Sequence, residues 1–191
     1  DASNYFFATT ITCANEEARA MYVEAFGHML NYNHEQAIAC FSKVTELDPN
    51  CAMAWWGIAY CLSSSYNWSA GLGPGYDAIQ QAISLKDGCS ELEQDLIMAL
   101  SKRHTKEARD NANPAALNMG NSPELNQAFA DAMAPLYEKY NGNLDVTAIY
   151  VEALMNLNPW TLWNKDASTG EITPVDDSTL MLIKIMEDAF E

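Results

Sequence analysis

The sequence predicts an all-α chain: a right-handed α-solenoid of about four antiparallel helix pairs, with an extended N-terminal lead-in and two long loops. Three observations support this prediction. Apolar residues recur at the three- and four-residue spacing of a helix face, capping residues mark helix ends, and no segment alternates with period two for long enough to form a sheet. Helix pairs of this kind bury their remaining apolar faces by stacking on their neighbours, which creates a concave surface.

The chain divides into two predicted parts. Residues 1–14 are β-prone and uncharged after Asp1, so we expect an extended lead-in, and 15–191 form one helical-repeat domain. The last predicted helix ends the chain before any further Asp-Pro turn, so we expect this domain to be incomplete at its C-terminus. Because the first residue is not Met, we also expect that a leader has been removed or that an N-terminal part is missing.

The stretch 33–60 predicts a helical hairpin and is the clearest element of the sequence. Apolar residues such as Phe41 fall on one face of its first helix, which Asn33 is expected to cap in a box with Gln36. The Asp-Pro-Asn turn at 48–50 ends that helix, because proline has no amide proton to continue the hydrogen bonding. A second stripe of small and large apolar residues follows, as close antiparallel packing requires.

The same signals predict the remaining elements in order. Eight helices are expected in four pairs, over 15–31, 33–48, 52–62, 77–85, 90–106, 122–140, about 149–157, and 178–190. Segments rich in serine, glycine or asparagine predict the two long loops at 63–76 and 109–121, and a further loop is predicted at 158–177. Pro135 is expected to bend its helix or shift its end.

The composition restricts the classes of partner. The chain has 10 Lys plus Arg against 26 Asp plus Glu, which gives a formal net charge of −16. Such a charge repels phosphate backbones and anionic lipid, so nucleic-acid and membrane-surface binding are disfavoured, whereas basic partners are favoured. No run of apolar residues is long enough to predict a membrane span.

No residue pattern typical of catalysis, cofactor binding or metal binding stands out. The three histidines, His28, His34 and His104, are too poorly spaced to suggest converging metal ligands or an acid–base pair. The glycines of 71–75 follow no predicted strand and do not match a phosphate-binding loop. We therefore predict no catalytic, cofactor or metal site.

The tryptophan-rich loop and one sequon are weaker candidates for function. Trp160 and Trp163 are expected to pack into the groove as a satellite core, and the alternative is an exposed aromatic anchor for a partner. Asn67 begins an Asn-Trp-Ser sequon in a predicted loop, which would matter only in a chain secreted by a eukaryote.

The hairpin resembles a tetratricopeptide repeat (TPR). Ala37, Phe41 and Pro49 match the second-helix and turn positions of that family, and Met21 and Trp55 are equivalent positions one 34-residue period apart. The later pairs depart from the pattern because loops are inserted. This resemblance implies a solenoid that binds proteins or peptides.

The runs TITCANEEARAMY and LDPNCAMAWWGIAY also resemble a group of mostly bacterial TPR proteins of unassigned biochemical role. Cysteines recur in that group at the positions of Cys13 and Cys51. Each of these cysteines precedes a helix at the same end of the predicted stack, so a disulfide is geometrically reasonable, and the resemblance favours it. A disulfide would imply an oxidising compartment and therefore an exported protein, whereas Cys40 and Cys61 are expected to be buried apolar residues.

These observations predict a non-enzymatic scaffold that binds a protein or peptide, preferably a basic one, on its concave face. Residues on the first helix of each pair are the expected contributors: Glu24, His28, Tyr60, Tyr150 and Met155. The alternative is a structural subunit that assembles end to end into an extracellular or periplasmic complex or filament. Its contacts would be the lead-in and the last helix, whose apolar residues include Leu182, Ile185, Met186 and Phe190.

Overall fold

The computed structural model describes residues 6–63, 65–67, 73–110 and 122–189. Within these residues it contains nine α-helices and one two-stranded antiparallel sheet, so the predicted all-α class is confirmed. The predicted number of eight helices is wrong, because the short helix Lys106–Asp110 was not predicted as a separate element. The first five residues, parts of the two long loops, Phe190 and Glu191 lie outside the described residues.

The helices follow one another with short connections in most of the chain. Their bounds are α1 Glu16–Leu30, α2 His34–Leu47, α3 Ala52–Cys61, α4 Gly73–Leu85, α5 Glu91–Ser101, α6 Lys106–Asp110, α7 Pro123–Lys139, α8 Leu144–Met155 and α9 Asp177–Ala189. A 3-10 turn over Lys86–Gly88 joins α4 to α5, and the strands β1 Trp163–Lys165 and β2 Ile172–Pro174 precede α9.

Most helix starts carry the predicted caps. The Asn15 side chain accepts a hydrogen bond from the Ala18 amide, and Ser90 forms a complete capping box with Glu93 at the start of α5. The cap predicted at Asn33 is wrong, because its side chain makes no capping hydrogen bond to α2.

Two predicted helix boundaries are also wrong. Helix α4 begins at Gly73 instead of Asp77, because proline is tolerated in a first helical turn, where amide donors have no partner within the helix. A Cβ atom at Gly75 would lie 2.2 Å from the His104 ring, so this close approach requires glycine. The helix predicted over 90–106 instead ends at Ser101.

The remaining departures lie in the second half of the chain. Helix α7 ends at Lys139, close to its predicted end, with Pro135 inside it, whereas α8 begins at Leu144 and not near Ile149. The segment 158–177, predicted as a loop, contains an antiparallel hairpin in which Trp163 pairs with Pro174. The hairpin escaped prediction because its strands are only three residues long and every residue from 163 to 173 is exposed, so no alternation marks them.

Most helices pack mainly against their neighbours in sequence, whereas α6 packs on α4. The pairs α1–α2, α2–α3, α3–α4 and α4–α5 are in contact, α5 packs on α7, and the stack continues through α7–α8 and α8–α9. The centre of the core is Trp56, which is fully buried and donates from Nε1 to the Leu96 carbonyl at 3.1 Å. Phe41 fills the space above Gly57, where a Cβ atom would lie 2.4 Å from its ring.

The lead-in packs against several helices of its own chain. Phe7 and Ile11 are buried, and the Phe7 ring meets Phe26 of α1 and Trp56 of α3 edge-on. The segment contains a turn in which the Thr10 amide donates to the Phe7 carbonyl, so it is not uniformly extended.

Three carboxylates hold the lead-in by its backbone amides. The Ala8 amide donates to Asp145 at 3.0 Å, the Thr12 amide and hydroxyl donate to Glu93 at 2.7 and 2.6 Å, and the Ala14 amide donates to Asp48 at 2.6 Å. The acceptors belong to α8, α5 and the α2–α3 turn. The lead-in therefore ties together helices that are distant in sequence.

Candidate functional site

A cleft of about 660 Å³ lies between α7, α8 and the start of α9. Its floor is apolar, with Ala130 and Ala134 from α7 and Leu154 from α8. Three carboxylates line it: Asp131 of α7, Asp176, and Asp177 of α9. We call this feature the acidic groove.

Hydrogen bonds fix two of the three groove carboxylates. Asp131 accepts a hydrogen bond from the Gln127 amide group at 2.8 Å. Asp176 accepts from the Ser178 hydroxyl at 2.6 Å and from the Asn158 amide group at 2.7 Å, and these donors hold its pKa below the usual range for Asp. The Asp176 carboxylate is therefore ionised at neutral pH.

No Lys or Arg is among the described residues that line the acidic groove. The described lining residues therefore supply no cation that could neutralise these carboxylates. Because like charges in a concave surface reinforce one another, the groove attracts cationic groups and repels anionic ones.

Tyr150 gives the groove an aromatic wall. Its hydroxyl donates to the Met181 sulfur at 3.3 Å, and its ring lies 5.4 Å from the ring of Tyr137. Burial raises the pKa of Tyr150, so the phenol stays neutral and remains a hydrogen-bond donor.

The other residues predicted to face a partner lie elsewhere. Tyr60 is buried and donates from its hydroxyl to Glu152 at 2.5 Å. Met155 lines a separate, mainly apolar pocket of about 480 Å³ beside α9. Glu24 and His28 lie on α1, next to Cys40 of α2. The structure thus brings only Tyr150 of the five predicted residues into the acidic groove.

The two tryptophans of the hairpin region are exposed. Trp160 is 72% exposed and Trp163 52% exposed, so the expectation that both pack into the groove is wrong. The ring of Trp160 lies 5.3 Å from that of Tyr66 and keeps its other surface open to solvent. This exposure agrees with the alternative of an aromatic anchor.

Cys13 and Cys51 are unbridged thiols in the structure, and their side chains lie within hydrogen-bonding contact. Burial raises the pKa of both thiols, more strongly for Cys51. The disulfide stays a prediction. Asn67 is exposed, whereas the next two residues of its sequon lie outside the described residues.

Two further clusters contain side chains of the types that act in catalysis or bind metal ions. Ser63 and His104 lie 2.8 Å apart, but each is only 2% exposed, and burial lowers the pKa of His104 to about 4. A substrate therefore has no access to this pair. The second cluster is Glu24, His28 and Cys40, whose ligand atoms lie within 4.8 Å of one another.

The chain matches no known protein family. Comparisons with curated proteins and with solved structures likewise find no match. Among the described residues, no helix combines the length and the apolar character that crossing a membrane requires. The proposals that follow therefore rest on the sequence and geometry of this chain.

The sequence reasoning missed Asp131, Asp176 and Asp177. In a chain with 26 acidic residues, a single Asp carries no signal of its own. The net charge did predict a preference for basic partners, but the place where carboxylates converge depends on how α9 folds back onto α8.

Proposed function

We propose that this protein is a non-enzymatic scaffold that binds a basic peptide segment in the acidic groove. The observation that supports this proposal best is the convergence of three carboxylates over an apolar floor, with no Lys or Arg among the described lining residues. A Lys or Arg side chain suits such a site, because its aliphatic stem can pack on the floor while its charged head pairs with a carboxylate.

The order of helix contacts supports a solenoid of the TPR kind as the frame of this scaffold. In addition to the sequential contacts, α1 packs on α3, and α3 packs on α5. Contact between the first helices of successive pairs is expected when helical hairpins stack in one direction. In this interpretation α8 and α9 form the last described pair, and the acidic groove lies beside it.

Two tryptophans that follow α8 in sequence are part of the proposed binding surface. Trp160 and Trp163 follow α8 directly, and both present indole surface to solvent. Exposed tryptophans are typical of binding sites in which a few aromatic residues provide most of the affinity. We also propose that the protein is exported and carries a Cys13–Cys51 disulfide.

Selection of peptides from a random display library, followed by fluorescence anisotropy, tests the proposal. We expect enrichment of sequences that contain Lys or Arg. The double variant Asp131→Asn/Asp177→Asn should weaken binding of a selected peptide about tenfold, because exposed ion pairs contribute up to about 1 kcal/mol each. The matched control Glu17→Gln/Glu107→Gln removes the same charge outside the groove. Equal losses in the two double variants, or no enrichment of basic sequences, would contradict the proposal.

A second candidate is the self-assembling subunit, which one observation favours. Helix α9 exposes Leu180 by 53%, Met181 by 48% and Met186 by 42%, and a second copy could cover these side chains, whereas Leu182 and Ile185, which were expected to contribute to this contact, are buried within the chain. Light scattering over a concentration series should then show a mass above the monomer that Leu180→Lys abolishes and the control Val23→Lys on α1 retains. A monomer at every concentration would exclude assembly through α9.

A further inference from the structure

Glu24, His28 and Cys40 bring three different ligand types to one place on the α1–α2 pair. Glu24 and His28 lie one helical turn apart on α1, and Cys40 reaches them from α2. The carboxylate oxygen, imidazole nitrogen and sulfur atoms all lie within 4.8 Å of one another, and the distance from His28 Nε2 to Glu24 Oε1 is 4.0 Å.

We propose that Glu24, His28 and Cys40 form a binding site for a divalent transition-metal ion of the zinc type. Zinc–ligand bonds of about 2.0–2.3 Å in a tetrahedron place neighbouring ligand atoms roughly 3.5 Å apart. The observed atoms must therefore approach by about 1 Å, which side-chain rotation can supply without moving a helix. Three protein ligands leave the fourth position to water.

The backbone beneath the cluster is rigid enough to hold such a site. Helices α1 and α2 are packed together through Tyr22, Ala25, Ala37 and Phe41, all of which are fully buried. The Tyr22 and Phe41 rings lie 5.3 Å apart within this contact. Ligands on two firmly packed helices lose little freedom when an ion binds, which favours binding.

The cluster is also open to solvent, so an ion can reach it. The side chain of Glu24 is 61% exposed and that of His28 34% exposed, and Cys40 is half-buried, so the prediction that Cys40 is a buried residue is wrong. When an ion binds, a metal–sulfur bond forms at Cys40 Sγ and the thiol proton leaves to solvent. The ion itself keeps its oxidation state, so no other reactant is needed.

The donor set selects among metals. Thiolate and imidazole ligands favour Zn²⁺, Co²⁺, Ni²⁺ or copper, whereas Mg²⁺ and Ca²⁺ require mainly oxygen ligands. The cluster was not predicted because only the spacing between histidines was considered as a sign of a metal site. Neither the pairing of α1 with α2 nor the resulting position of Cys40 can be obtained from histidine spacing.

Titration of the reduced full chain with Co²⁺ tests this site by absorption spectroscopy. We expect one equivalent to produce a sulfur-to-cobalt charge-transfer band in the near ultraviolet, and excess Zn²⁺ to abolish it. Cys40→Ser should eliminate the band, and Glu24→Gln or His28→Gln should weaken Co²⁺ binding at least about tenfold. The control Cys89→Ser removes a thiol outside the cluster and should leave the titration unchanged.

The variants separate this site from the other thiols. A band that persists in Cys40→Ser would assign the cobalt to another thiol of the chain and would overturn the proposal. Absence of a band in the wild-type chain at millimolar Co²⁺ would also overturn it. Far-ultraviolet circular dichroism of each variant establishes that the helices are intact. The readout does not depend on peptide binding, so failure here leaves the acidic groove untouched, and the reverse also holds.

Discussion

The N-terminal and C-terminal regions of this protein use the same kinds of residue in opposite ways. In α3 every residue except Trp55 is buried, and the lead-in covers part of that helix with Phe7. In the hairpin every residue from 163 to 173 is exposed, and α9 exposes the apolar side chains of Leu180, Met181 and Met186. The first region therefore provides stability, and the second leaves its side chains available for contact.

The carboxylates show the same contrast. Asp48, Glu93 and Asp145 accept hydrogen bonds from backbone amides of the lead-in and so hold the N-terminal region together. In the acidic groove, Asp131 and Asp177 line an open cleft. An acidic residue is thus structural where it accepts a hydrogen bond from a backbone amide of a distant segment, and available for binding where it lines an open cleft, a difference that composition alone does not reveal.

The largest expected effect comes from comparing two tryptophans. Trp56→Ala should reduce the free energy of unfolding by about 3–5 kcal/mol, because it leaves a cavity and removes the hydrogen bond to the Leu96 carbonyl. Trp160→Ala should change it by less than about 0.5 kcal/mol, because that side chain is 72% exposed. Urea denaturation followed by circular dichroism measures both values.

A conservative variant keeps this comparison informative if Trp56→Ala does not fold. Trp56→Phe retains most of the buried volume and loses the indole donor, so we expect a smaller loss of stability in the same direction. Similar losses for Trp160→Ala and Trp56→Phe would show that the two regions do not differ as described.

A pH-dependent loss of stability is expected from His104 in the buried part. Burial lowers its pKa to about 4 in the folded chain, against about 6.5 when unfolded. The unfolded chain therefore binds the proton more readily, so the contribution of His104 is complete above about pH 6.5 and is lost as the pH falls towards 4. The full loss is about 3 kcal/mol.

Urea denaturation of the wild type and of His104→Gln at several pH values measures this loss. Glutamine can still bond to the Ser63 hydroxyl, which lies 2.8 Å from His104 Nε2, but it does not titrate. The variant should therefore lose less stability than the wild type between pH 6.5 and 4. Identical pH dependence in the two proteins would show that His104 is not the group responsible.

The sequence predicts the local elements of this fold better than it predicts the contacts between them. Helix starts with a strong local signal, such as the Ser90–Glu93 box and Ser122 before Pro123, lie where they were predicted. Asn33 has the same kind of signal and fails, because a cap also depends on the backbone angles of its residue. Local chemistry therefore predicts that helices exist more reliably than it predicts their ends.

The acidic groove shows the same difference between local elements and the contacts between them. Tyr150 was predicted because the first helix of a pair is expected to face a groove, but Asp176 enters the groove only because α9 folds back on α8. Trp160 was expected to be packed, since large aromatic side chains usually are. Its exposure depends on the hairpin, whose strands are too short to leave a pattern in the sequence.

The smallest expected effect concerns Asp166, in the turn of that hairpin. Its Oδ1 accepts hydrogen bonds from the Ser168 hydroxyl at 2.6 Å, the Thr169 amide at 2.7 Å and the Ser168 amide at 2.8 Å. These donors hold the pKa of Asp166 well below its usual range. The stabilising effect of the carboxylate is thus present above the unfolded pKa of about 3.9 and is lost as the pH falls through the folded pKa.

An NMR titration isolates this effect from the global stability of the chain. The amide resonances of Ser168 and Thr169 should shift with a midpoint below about pH 3.9, and Asp166→Asn should abolish the shift. The control Glu171→Gln removes a charge from the same turn and should leave the midpoint unchanged. A midpoint at or above 3.9 would mean that the turn is not held by Asp166. The hairpin contributes little to the buried core. Loosening it should therefore leave global unfolding unchanged while altering the exposure of Trp163. Both results are expected if the N-terminal region provides the stability and the C-terminal region leaves its side chains available for contact.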